Sequence, residues 1–82
     1  MTVYRVGEKF ESATQCESRE AAAALMTDGA CIWRKHHGHW YIQCDRTWQG
    51  GGFTSVRAGY GGLIEEPIGD AIARFLRCDP HL

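Results

Sequence analysis

Residues 31–44 read CIWRKHHGHWYIQC, from Cys31 to Cys44. Two runs rich in Ile, Trp and Tyr flank His37-Gly38, and aromatic and β-branched residues favour strands. Gly38 supplies the positive φ that a tight hairpin turn needs. The stretch therefore predicts a β-hairpin with His37 and Gly38 as its two loop residues. In that register His36 opposes His39, Trp33 opposes Ile42 and Cys31 opposes Cys44. Alternation puts Cys31, Trp33, Lys35, Trp40, Ile42 and Cys44 on one face. Ile32, Arg34, His36, His39, Tyr41 and Gln43 take the other. The first set is the more apolar and is expected to face the core. The second is polar and aromatic, and is expected to be solvated or to read a partner.

Outward from the hairpin, Thr2 to Val6 has strand character and Gly7-Glu8-Lys9 reads as a turn. A second strand is expected over Phe10 to Thr14, with Phe10 inward. Ser18 suits a helix N-cap, and Glu20 places a carboxylate near the positive helix end. Ala21 to Met26 has high helix propensity. Its expected buried stripe is Ala22, Leu25 and Met26, and Gly29 follows as a stop. After the hairpin, Gly50, Gly51, Gly52, Gly59, Gly61 and Gly62 flank one expected strand, Phe53 to Arg57. Pro67 opens a second helix whose apolar stripe is Ile68, Ala71, Ile72, Phe75 and Leu76. Asp70 and Arg74 are spaced to pair on its outer side, and Pro80 ends it near Cys78. The order is β-β-α-β-β-β-α. The expected fold is α+β, with residues 1–82 forming one two-layer domain. Its sheet is mostly antiparallel and two helices pack on one face.

Size and charge narrow the function classes. The chain has 82 residues, nine of them aromatic (three each of Trp, Tyr and Phe), and a formal net charge of −1. That content excludes a disordered chain, and the near-zero charge excludes a polyanion binder driven by bulk electrostatics. The longest apolar run, Ala21 to Met26, is far short of the roughly 20 residues that span a bilayer, so no membrane partner is expected. MTVYRVGEKF at the start lacks the pattern of a secretory signal, and Cys78 to Leu82 carries no lipidation box. The expected location is cytoplasmic, with Cys16, Cys31, Cys44 and Cys78 reduced and structural.

Four chemistries are weighed on the residues. Cys31, His36, His37, His39 and Cys44 are zinc-ligand types within one stretch. No Cys-x-x-Cys or His-x-x-x-His pair occurs, and the hairpin register sends the cysteines and histidines to opposite ends. A small metal-dependent domain therefore ranks low, and no metal or cofactor is expected. A Cys31–Cys44 bridge fits the expected cross-strand pairing, but the reduced form is favoured in the cytosol. Cys44-Asp45 near histidines suggests a nucleophile, but a chain this short rarely builds the cleft it needs. Residues 49–55 are glycine-rich but lack the lysine and following helix of a phosphate loop. No catalytic residue and no enzyme activity are expected.

The charge layout is more informative than its total. Residues 1–29 carry three basic and five acidic groups, residues 30–60 four and one, and residues 61–82 two and four. A basic, aromatic middle thus lies between acidic ends. Arg34, His36, His39, Tyr41, Arg46, Trp48, Phe53 and Arg57 form the expected partner-binding set. Trp, Tyr and Arg dominate protein hot spots, and the same residue types stack on and pair with nucleic acid. The low net charge favours a protein partner over nucleic acid, and a homodimer would supply the extra burial a small core lacks. In size and architecture the chain resembles small phage-encoded inhibitors, of which anti-CRISPR proteins are the best-known group. The resemblance implies a stoichiometric binder that blocks nucleic acid or a partner subunit of a host defence complex. It carries no motif and transfers no residue. The leading expectation is a non-enzymatic protein-binding module, with a nucleic-acid-binding domain built on the basic aromatic hairpin as the alternative.

Overall fold

A computed structural model describes residues 2–47, 53–54, 63–64 and 66–77, with 53–54 and 63–64 as backbone only. Six strands and two helices run in the order β1 (Tyr4–Gly7), β2 (Thr14–Cys16), α1 (Arg19–Leu25), β3 (Cys31–His36), β4 (His39–Asp45), β5 (Phe53–Thr54), β6 (Leu63–Ile64) and α2 (Ile68–Arg77). A 3-10 turn, Phe10–Ser12, lies between β1 and β2. The strands make one antiparallel sheet in the order β2-β1-β3-β4-β5-β6. The α+β class and the element order follow the expectation, with β6 as an additional two-residue strand. Of the strand expected over Phe53 to Arg57, Arg57 and its two preceding residues lie outside the described residues, as do Cys78 and Pro80.

The hairpin turn forms as its residues require. His37 (φ 50°) and Gly38 (φ 78°) both take positive φ, the pattern of a two-residue turn that matches strand twist. The pairs His36–His39, Lys35–Trp40, Arg34–Tyr41 and Trp33–Ile42 follow the expected register. The register then slips. Ile32 pairs with Cys44 and Cys31 with Asp45, so Gln43 is an extra residue on β4. This β-bulge turns Cys44 to the side opposite Ile42.

The helices cover the other side of the sheet from the one the hairpin alone suggests. Strand β1 decides it. Val6 pairs with Ile32, Tyr4 with Arg34 and Arg5 with Trp33. Tyr4, Val6 and Ile32 are buried together with Cys16, Cys44, Ala30, α1's Ala22, Met26 beyond it, and α2's Ala71 and Phe75. Tyr4 meets Phe75 edge to face at 5.7 Å, a geometry that adds about 0.5–1.5 kcal/mol beyond area burial. Trp33, Lys35, Trp40 and Ile42 share a face as expected, but among the described residues no helix packs on that face. Ile32, expected on the outer face, is fully buried. Cys44 reaches the core through the bulge, while Cys31 stays on the outer side beside Asp45.

Local signals hold with four corrections, one being Leu76, expected on the inward stripe of α2 but 38% exposed. Ser18 caps α1 by accepting from the Ala21 N–H at 3.0 Å. Ala22 and Met26 are buried, but Leu25 is 46% exposed, because the one-turn-and-more helix turns only a narrow stripe inward. Arg74 binds Glu66, not Asp70: its Nε donates to Oε1 at 3.1 Å and its Nη2 to Oε2 at 3.4 Å. The carboxylate just before the helix reaches back over its first turns, leaving Asp70 exposed. The second strand begins at Thr14 instead of Phe10, since Phe10 enters the 3-10 turn. Gly7 makes that turn fit, because a Cβ there would lie 3.0 Å from Ala13 Cα.

One buried charge ties the layers. Arg46 is 6% exposed. Its Nε donates to Asp28 Oδ1 at 2.8 Å and its Nη1 to the Glu66 carbonyl at 2.7 Å. Its own amide donates to the Ala30 carbonyl, and its carbonyl accepts from the Gly29 N–H, both at 2.9 Å. The end of β4, the turn before β3 and the start of α2 therefore meet on one side chain. Replacing Arg46 by Met removes these charge-assisted bonds and is expected to cost about 1–3 kcal/mol. Gly7→Val is expected to cost about 1–3 kcal/mol through overpacking against Ala13. Urea unfolding checks both, and an unchanged midpoint in either variant would contradict the corresponding contact.

Candidate functional site

The face without helices gathers the aromatic residues of the hairpin. Phe10 reaches over it from the 3-10 turn. Its ring meets Trp33 at 5.4 Å and Trp40 at 5.4 Å, both edge to face. The Arg5 guanidinium lies 4.6 Å from the Phe10 ring centre and 5.4 Å from that of Trp40. Lys35 places its ammonium 5.8 Å from the Trp40 ring. Arg5 Nη1 also donates to the Phe10 carbonyl at 3.2 Å, which fixes the turn over the sheet. Ile42 sits opposite Trp33 on the same face. Trp33, Trp40, Ile42, Phe10 and Arg5 are partly buried and Lys35 is exposed. The result is an aromatic surface with cations held against its rings.

The residues expected to bind a partner divide into several places. Arg34 and Tyr41 pair across the hairpin, as do His36 and His39. These four do share a face, but it is the helix-side face, at the hairpin end of the sheet. Arg34, His36 and Tyr41 are partly buried there and His39 is exposed. His36 stacks on His37 with ring centres 4.0 Å apart and 14° between planes. Arg46 does not join them. It is buried in the ion pair with Asp28, so its guanidinium does not face outward. Phe53 is described as backbone only, paired with Cys44 and Ile64. Trp48 and Arg57 lie outside the described residues.

Sequence alone turns Phe10 inward, places Trp33, Trp40 and Ile42 in the core and gives Arg5 no role, whereas the structure sets Phe10 on Trp33 and Trp40, away from the helices. One signal was present. In Tyr4-Arg5-Val6 the charged residue alternates with two apolar ones, which marks Arg5 as outward. Only the pairing of β1 with β3 transfers that direction to Trp33.

The cysteine chemistry follows from the bulge. Cys31 and Cys44 project to opposite sides of the sheet, and they are not bridged to each other. Burial and the neighbouring Asp45 carboxylate, which accepts from the Cys31 thiol at 3.3 Å, push Cys31 up to about 12. Burial pushes Cys44 up to about 11, against the opposing pull of Arg46. Both are therefore thiols at neutral pH, whereas a nucleophile needs the thiolate. For Asp45, burial acts upward. The Thr47 hydroxyl and amide and the Cys31 thiol outweigh it and hold the carboxyl below its ordinary range. Among the described residues, no three His, Cys, Asp or Glu side chains come together as a metal-binding group. No described helix is long and apolar enough to cross a membrane. Comparison with protein-family models, with curated proteins and with solved structures returns no match.

The raised thiols make a signed pH prediction. Below the ordinary thiol value of 9.0 neither group changes stability with pH. Above it the unfolded chain loses protons that the folded chain keeps, so stability falls as pH rises. The fall should run from about 9 toward 11 and 12. Urea midpoints across that range are expected to show a smaller alkaline decline in the Cys31→Ser, Cys44→Ala double variant. An equal decline would contradict the raised values.

Proposed function

We propose that this chain is a non-enzymatic protein-binding module that binds its partner stoichiometrically through the helix-free sheet face. The observation that carries the reading is the cluster of Trp33, Trp40, Phe10 and Ile42 on the side without helices, with Arg5 and Lys35 against the rings. Trp and Arg are enriched among the residues that dominate binding energy. An Arg whose stem and guanidinium lie on aromatic rings is ordered before binding, which lowers the entropy lost on association. A module of this kind inhibits whatever complex it occupies by covering a surface of its partner.

Protein is favoured over nucleic acid by the same geometry. Base stacking needs an open ring face. Here Arg5 and Lys35 both lie over Trp40, and Phe10 leans on both tryptophans. The formal net charge of −1 adds no general attraction for phosphates.

The test is capture of a partner from the source cell by tagged chain, followed by affinity measurement with variants checked for folding by circular dichroism. Trp33→Ser is expected to lose at least about 2 kcal/mol of binding, roughly thirtyfold in affinity. Loss of binding in Arg34→Ala with Tyr41→Ala, while Trp33→Ser binds normally, would move the contact to the helix-side face. A captured species that is nucleic acid, with affinity falling steeply in salt, would replace the protein reading altogether.

A further inference from the structure

We propose that the occupant of the helix-free face is an acidic segment of the partner protein, with carboxylates seated on Arg5 and Lys35 beside Trp40. This rests on the protein-binding reading of that face and names the chemistry the face selects.

The charges of the described residues are unbalanced there. Arg46 and Arg74 each engage a carboxylate, at 2.7 Å to Asp28 and 3.1 Å to Glu66. Arg5 engages none among the described residues. One of its terminal nitrogens donates to the Phe10 carbonyl. Its Nε is closed off from water with no acceptor. Lys35, with its ammonium over the same Trp40 ring, has no carboxylate partner among the described residues either. The acidic residue on this face is Asp45, at the other end of the hairpin. Its Oδ1 accepts from the Thr47 amide at 2.9 Å, the Thr47 hydroxyl at 2.5 Å and the Cys31 thiol at 3.3 Å. Glu8 and Glu11, exposed between β1 and β2, pair with neither cation.

A partly buried guanidinium without a counter-charge is costly. The rings of Phe10 and Trp40 offset part of that cost. A carboxylate supplies the rest through charge-assisted hydrogen bonds, and an arginine fork suits its two oxygens. Both cations lie within 6 Å of one ring centre, at 5.4 and 5.8 Å, so the carboxylates of one acidic segment laid along this ring can answer both. Trp33 and Ile42, two pairs along the ladder on the same face, offer apolar contact to the residues flanking them. Two cations on an acidic chain do not match the charge density of a nucleic-acid backbone, which leaves a protein carboxylate as the fitting anion.

The test uses the full 82-residue chain and follows the indole N–H resonances of Trp33 and Trp40 by NMR. The probes are capped peptides of alternating glutamate and leucine, the glutamine–leucine counterpart, and oligothymidylate. The expected result is that the glutamate peptide moves both indoles and binds at least about tenfold more tightly than the glutamine peptide. Lys35→Glu, at an exposed position, should abolish that preference, and Arg5→Gln should weaken it in a variant that keeps its spectrum. Equal binding of the two peptides at the indoles would overturn the acidic preference while leaving the protein-binding face intact. Oligothymidylate binding at the indoles in preference to either peptide would overturn both. Indoles unmoved by the glutamate peptide would overturn the inference.

Discussion

A single extra residue in β4 organises the sheet. With Gln43 bulged out, Ile42 and Cys44 point to opposite sides although two residues apart. Cys44 then joins Ile32 in the core, while Ile42 stays with Trp33. A hairpin without the bulge would keep Ile42 and Cys44 on one face and could not serve the helix layer at one end and the aromatic cluster at the other. The bulge also separates Cys31 from Cys44, so the thiols that look paired in the sequence meet different surroundings. One finds Asp45, and the other lies deep in the core beneath the influence of Arg46.

The helix layer and the aromatic face are stabilised in different ways. On the helix side, Ala22 and Ala71 permit close approach, and Phe75 fills the space against Tyr4. Arg46 closes the end of this layer by bonding to a carboxylate and to a carbonyl from separate segments. On the opposite side no described helix covers the rings. A short turn folds back over Gly7, lays Phe10 against both tryptophans, and is tied down by Arg5. The partly buried Arg5 guanidinium and the exposed Lys35 ammonium lie against the rings, Arg5 with its Nε closed off from water. That cover is partial among the described residues, and Trp33, Trp40 and Phe10 stay half-buried.

The candidate site was legible in pieces. The residue types of a binding surface, Trp and Arg with lysine, stand out in the hairpin, and the Arg34–Tyr41 and His36–His39 pairs follow from the turn. Hydrophobicity within the hairpin alone points to the wrong face. Trp33, Trp40 and Ile42 together carry more apolar area than Ile32 and Tyr41, whose face also holds Arg34, His36, His39 and Gln43, so the first set looks like core. Aromatic rings sealed by another ring and by cations satisfy their burial without a helix layer, and composition does not record that cover. Arg5 was missed for a related reason: it belongs by sequence to an acidic segment, and it reaches the patch only because β1 pairs with β3. Arg46 shows the reverse case, a basic residue in the basic middle whose charge is spent on Asp28.

What the chain determines locally is clear. His37-Gly38 dictates the turn through positive φ, Ser18 caps α1 through its hydroxyl, and the apolar spacing after Pro67 makes α2 amphipathic. These depend on a few neighbouring residues, so they are readable one segment at a time. Which side of the sheet the helices cover was decided by the tertiary structure. The bulge at Gln43 and the pairing of β1 with β3 set that side, because alternation fixes only which residues share a face and not which face meets the core.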